Sequence, residues 1–121
     1  MGVVHHSAYV PWFEAGRVEW LRERGLSYRE MEDSGLSLAV ASVAVAYRSA
    51  AYFDDLLEVR SHLTEVRSRR VAFDYRVSRP ADGALVATAT TTHVPTDRTG
   101  RAVRLPDRWL TPMLELLATN P

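Results

Sequence analysis

Apolar residues recur at helical spacing near the start of the chain and at strand spacing through most of the remainder. Val10, Phe13, Arg17 and Leu21 share one side of a helix, and Trp12, Gly16 and Trp20 share another. That surface is wider than a solvent-facing helix carries, so the pattern predicts a helix over residues 7–24 wrapped by a sheet. Pro11 is tolerated in its first turn, and Gly25 stands where a left-handed C-cap belongs. Gly16 in the middle costs about 1 kcal/mol against alanine, which calls for a close neighbour. The small residues Ala39, Ser42, Ala44 and Ala46 of the following run are the expected ones.

A short second helix is expected over 27–34, with Ser27 as N-cap, Glu30 completing a capping box and Gly35 ending it. Residues 38–48 form a nearly continuous run of small and β-branched residues, which reads as a strand covered on both faces. Residues 56–66 and 71–78 alternate, with Val71, Phe73, Tyr75 and Val77 against Ala72, Asp74, Arg76 and Ser78. A Pro80–Gly83 turn leads to a return strand over 84–94, and a turn over 96–100 leads to a short last strand over 101–105. Leu110, Met113, Leu114 and Leu117 mark an amphipathic tail helix that must accommodate Pro112. One long apolar helix followed by four or five antiparallel strands is an α+β layout.

The 121 residues suffice for one domain, taken as residues 1–121, burying roughly two thirds of its unfolded surface. Fifteen basic and fifteen acidic side chains cancel, which argues against nucleic acid or a membrane surface as principal partner. With no cysteine there is no disulfide, thiolate metal site or cysteine nucleophile. No signal-peptide pattern or long apolar run is present, so a cytoplasmic protein is expected. All fifteen basic side chains are arginine, whose planar fork suits phosphate oxygens.

The densest motif lies at the very start. Gly2-Val3-Val4-His5-His6 runs on to Tyr9, Phe13, Glu14 and Arg17, giving G-V-V-H-H-x-x-Y-x-x-x-F-E-x-x-R. It resembles the opening signature of the hot-dog-fold acyl-CoA thioesterases, specifically the 4-hydroxybenzoyl-CoA thioesterase family. The resemblance implies a hot-dog fold, with one central helix wrapped by a curved antiparallel sheet, and hydrolysis of an acyl or aroyl thioester to free acid and coenzyme A. It implies an oxyanion donor at the backbone N–H of His6, where helix-start amides favour negative charge, with Gly2, Val3 and Tyr9 lining the substrate. It also implies a homodimer or homotetramer, and no cofactor beyond the coenzyme A of the substrate. Family members carry an acid three positions before the glycine, which falls upstream of Met1, so Met1 is expected to be an internal methionine.

The remaining polar residues leave alternatives open. The His5 and His6 rings are either solvated helix-entry groups or orienters of water. Adjacent histidines make a poor chelate, and no metal is expected. Glu14 is either an ion-pair partner of Arg17 at i+3, the favoured reading, or a catalytic carboxylate. Arg67, Ser68 and Arg69, in a turn between strands, match family positions that contact the phosphates of coenzyme A, with Arg98 and Arg101 as weaker additions. His62 and His93 read as structural, and Ser7 and Ser42 lack a base and an orienting acid. The rival readings are a hot-dog protein that binds acyl-CoA or dimerises without turnover, and a related dehydratase.

Overall fold

The alternating segments assemble into one four-stranded antiparallel sheet in a computed structural model that describes residues 9–52 and 54–119. Its strands are β1 (Ser37–Tyr47), β2 (Glu58–Arg67), β3 (Arg70–Arg79) and β4 (Ala84–Thr96), in the spatial order β1-β4-β3-β2. Helix α1 (Tyr9–Glu23) lies on the concave face and packs chiefly against β2. Helix α2 (Tyr28–Asp33) follows, and α3 (Asp107–Thr119) closes the chain against β2. The stretch expected as a last strand contributes a single bridge, Thr96 to Ala102.

The local signals account for these boundaries. Gly25 adopts φ +83° and lets the Leu26 N–H close back on the Leu21 carbonyl at 2.9 Å, ending α1. The Ser27 hydroxyl accepts from the Glu30 N–H at 3.2 Å, starting α2. Val71, Phe73, Tyr75 and Val77 all point into the core, as their alternation requires. Phe13 of α1 stacks on Tyr75 at 4.7 Å and Trp20 meets Phe73 edge-on at 5.9 Å. Such pairs add about 0.5–1.5 kcal/mol each beyond their burial.

Two expectations about packing are corrected. Gly16 faces β2, where a Cβ would stand 2.5 Å from Ser61 Oγ and 3.3 Å from Val59 Cγ1, and not the small residues of β1. Nor is β1 covered on both faces: it is an edge strand, and from Ala39 to Tyr47 only Val45 is partly covered. Its register with β4 puts Val40, Val43, Val45 and Tyr47 on the concave side, level with His93, Thr91, Ala89 and Ala87. The chain has therefore built a surface for two-sided burial and left it open.

Candidate functional site

Between α1, α2 and the concave side of β1 runs a groove of about 360 Å³, lined by Phe13, Glu14, Arg17, Val40, Val43 and Thr91 among others. Its floor is apolar, as in most small-molecule sites. At the α1 end stands Tyr9, buried and packed edge-on against Trp12 at 5.0 Å and Tyr47 at 5.6 Å. Burial, with a smaller push from the neighbouring Tyr47 phenol, raises the Tyr9 pKa above its usual value. Tyr9 is thus a neutral, buried phenol beside Val10, the groove residue nearest the start of α1. The first turn of α1 carries no acidic side chain, and the dipole end of a helix start favours negative charge.

Beneath the floor lies a buried polar chain. Arg17, only 5% exposed, donates from Nη1 to Tyr75 Oη at 3.3 Å. The Tyr75 hydroxyl and Thr91 Oγ1 share a hydrogen bond at 2.7 Å, and Thr91 Oγ1 and His93 Nε2 another at 2.8 Å. Desolvation, followed by the Arg17 charge, lowers the His93 pKa from 6.5 to about 4, so the ring is neutral at physiological pH. The structural reading of His93 holds, since it is fully buried and lies outside the groove lining.

The expected Glu14–Arg17 pair does not form. No carboxylate among the described residues lies within ion-pair distance of Arg17, and its Nε is buried without a partner. The Arg17 side chain turns inward to reach Tyr75, while Glu14 is exposed at the groove rim. Gly2, Val3, His5, His6 and Ser7 lie outside the described residues.

Arg67, Ser68 and Arg69 sit together at the tip of the β2–β3 hairpin, where Arg67 pairs across to Arg70. Glu65 pairs with Arg70 and, at 3.5 Å, with Arg67, which leaves Arg69 the least encumbered of the expected set. The Leu105 N–H donates to the Ser68 carbonyl at 2.6 Å, laying the segment before α3 against this tip. Exposed Arg104 is therefore brought to the hairpin, a neighbour that sequence spacing gave no reason to choose. Arg98 does not join it: its guanidinium donates to the Asp33 carbonyl at 2.7 Å and packs over Gly35, closing α2.

Register places these parts at opposite ends of the sheet. Tyr47 is level with Ala87 and Val77, beside the start of α1, whereas Val40 is level with His93 and Val71, beside the hairpin tip. A larger open hollow of about 950 Å³, bounded by Trp20, Ser61, Asp74 and Arg76, lies elsewhere and shares no lining residue with the groove. Among the described residues no three His, Asp or Glu side chains converge as metal ligands would.

A curved antiparallel sheet gripping one central helix, with a groove at that helix's start, defines a hot-dog fold of the thioesterase kind. The sequence profile of the Thioesterase-like superfamily matches residues 1–113, and the chain belongs to that superfamily. It is 35% identical over 79 residues to the acyl-CoA thioesterase YbgC of Haemophilus influenzae, covering 64% of this chain and 58% of that one. A hypothetical protein of Thermus thermophilus superposes with TM-score 0.89 at 38% identity, covering 96% of this chain and 88% of the other. The DHNA-CoA thioesterase of Staphylococcus aureus superposes with TM-score 0.87 at 26% identity, covering 98% and 79% respectively.

Proposed function

We infer that this chain is an acyl-CoA thioester hydrolase working as a homodimer joined along β1. Membership of the superfamily over nearly the whole chain is the observation that carries the activity. Water adds to the thioester carbonyl carbon with loss of a proton to solvent, the resulting oxyanion is held by donors at the start of α1, and the tetrahedral adduct expels coenzyme A as its thiolate, which takes up a proton, leaving the carboxylic acid. The backbone N–H of His6 is the proposed principal donor, with Gly2 and Val3 giving the carbonyl close approach and Tyr9 walling the acyl group. Arg69, supported by Arg67, Ser68 and Arg104, holds the phosphates of the nucleotide end.

Two features support the dimer. A strand with Val40, Val43 and Tyr47 each 40–53% exposed is an edge that natural sheets cover. And the start of α1 and the hairpin tip lie at opposite ends of one sheet, so a substrate using both in one protomer would have to run the length of the sheet. A twofold axis through β1 reverses the second sheet, so that one protomer's α1 start lies at the same end as the partner's hairpin. Thiol release from a panel of acyl-CoA esters tests the activity. Absence of turnover with tight acyl-CoA binding would instead identify a binding protein.

A further inference from the structure

Among the described residues neither Arg17 nor Glu14 has a counterion, and the two line the same groove. A guanidinium stays charged at any physiological pH, so burying one without an acid is heavily penalised unless an anion arrives from outside the fold. The simplest source would be Glu14 of the same helix, but Arg17 is committed inward to Tyr75 while Glu14 stands in solvent at the rim.

We propose that Glu14 of each protomer pairs with Arg17 of a second copy of this chain, so that two symmetry-related ion pairs lock the interface over the acyl groove. The proposal rests on the β1-joined dimer above and names the contact that makes it specific. Three observations support it. The exposed apolar residues Val10, Val40 and Val43 share the groove with the two charges, so the surface to be covered and the charges to be matched coincide. α1 is seated on β2, and its stripe Val10, Phe13, Glu14, Arg17 and Val18 faces across the groove to Val40 and Val43 of β1, so joining two β1 edges turns the two stripes toward each other. An isologous contact is reciprocal, and α1 spans Tyr9–Glu23, which places Glu14 and Arg17 on opposite sides of its centre. Antiparallel helices exchange such positions, setting each Glu14 against the partner's Arg17. The pairing also explains why the Arg17, Tyr75, Thr91 and His93 chain contains no acid: it fixes the guanidinium, and the second copy neutralises it.

Two charge reversals, Glu14→Lys (E14K) and Arg17→Glu (R17E), test the geometry. Each alone sets like charges together in its homodimer and should weaken dimerisation at least about tenfold by sedimentation. Co-expressed with distinguishable tags, E14K and R17E chains give a mixed dimer in which every cross-interface contact is again opposite in sign. Pairing inside one chain would leave both chains of the mixed dimer mismatched. The expected result is a mixed dimer that dominates over either homodimer and recovers nearly wild-type affinity. Folding rescued only on co-expression counts for the same conclusion. If the wild type is a dimer and the neutral double variant E14Q/R17M also folds and dimerises, but the mixed dimer does not recover, the cross-pair is wrong and Arg17 meets another anion, such as a substrate carboxylate. A monomeric wild type overturns the dimer itself and this pairing with it.

Discussion

Replacing Gly16 by alanine sets helix propensity against packing, and the structure decides which wins. In an unobstructed helix the change gains about 1 kcal/mol. Here the new methyl would sit 2.5 Å from Ser61 Oγ and 3.3 Å from Val59 Cγ1, both closer than carbon contacts normally allow. Overpacking of this kind costs about 1–3 kcal/mol, so Gly16→Ala should be net destabilising by about 1 kcal/mol. Ser61 is the main obstacle, and its hydroxyl is buried without a hydrogen-bond partner. Ser61→Ala alone should therefore be neutral or slightly stabilising, because it removes an unsatisfied group. With that oxygen gone the Ser61 Cβ is 3.9 Å from the new methyl and only Val59 presses on it, so the Gly16→Ala/Ser61→Ala chain should match or exceed the wild type. The implied coupling is about 1–2 kcal/mol, within the range for residues in contact. Thermal unfolding at fixed protomer concentration reads it as roughly 4 °C per kcal/mol. Additive single and double variants would refute the claim that α1 is seated on β2 through this contact.

Further outcomes follow from the buried chain and the two ends of the sheet. Unfolded histidine titrates near 6.5 and folded His93 near 4, so the unfolded state binds more protons between these values. Stability should be full above pH 6.5 and fall by about 3 kcal/mol on the way to pH 4; His93→Gln, which keeps a hydrogen-bonding partner for Thr91, should flatten that slope, measured by urea unfolding across pH. Arg67→Ala/Arg69→Ala should raise KM for acyl-CoA esters about tenfold or more, in a salt-dependent way, with thermal stability unchanged because the tip buries little; an unchanged KM would place the nucleotide elsewhere. His6→Pro deletes the proposed oxyanion donor and should lower kcat about 10²–10³-fold, whereas His6→Ala, which keeps the N–H, should lose far less.

Local chemistry was legible in the sequence wherever one residue type answers one local demand. Gly25, Ser27 and the Val71–Val77 alternation marked a cap, a helix start and a buried strand face, and each reappears in the structure. Pairing across the sheet was not legible in the same way. A run such as Ser37–Tyr47 has the same composition whether it lies inside a sheet or at its edge, so the expectation of two covered faces fails on a strand that is open in the protomer. Gly16 announced a close neighbour without saying which strand supplied it. Arg104 escaped notice because its place beside the hairpin depends on the Leu105 to Ser68 hydrogen bond, which joins segments far apart in sequence. Arg17, at i+3 from Glu14, matched a surface ion pair by spacing alone, yet burial redirected it to Tyr75.

The opposite-end placement of α1 and the hairpin has a consequence that activity can measure. If one substrate spans the α1 start of one protomer and the hairpin of its partner, each dimer has two sites and each site uses both chains. A His6→Pro chain then ruins one half of a site and an Arg67→Ala/Arg69→Ala chain ruins the other. In either homodimer both sites are damaged. In a mixed dimer one site inherits both lesions, while the other takes an intact α1 start from one chain and an intact hairpin from the other. Random assortment of equal amounts makes about half of the dimers mixed, and each mixed dimer has one sound site of two, so about a quarter of wild-type kcat/KM should return. Unfolding and refolding the two inactive proteins together, with each refolded alone as control, supplies the measurement at substrate well below KM. Recovery of about a quarter supports a site shared across β1. No recovery, with mixed dimers demonstrably present, would mean that each protomer binds its substrate alone and that the hairpin arginines serve something other than the substrate at α1.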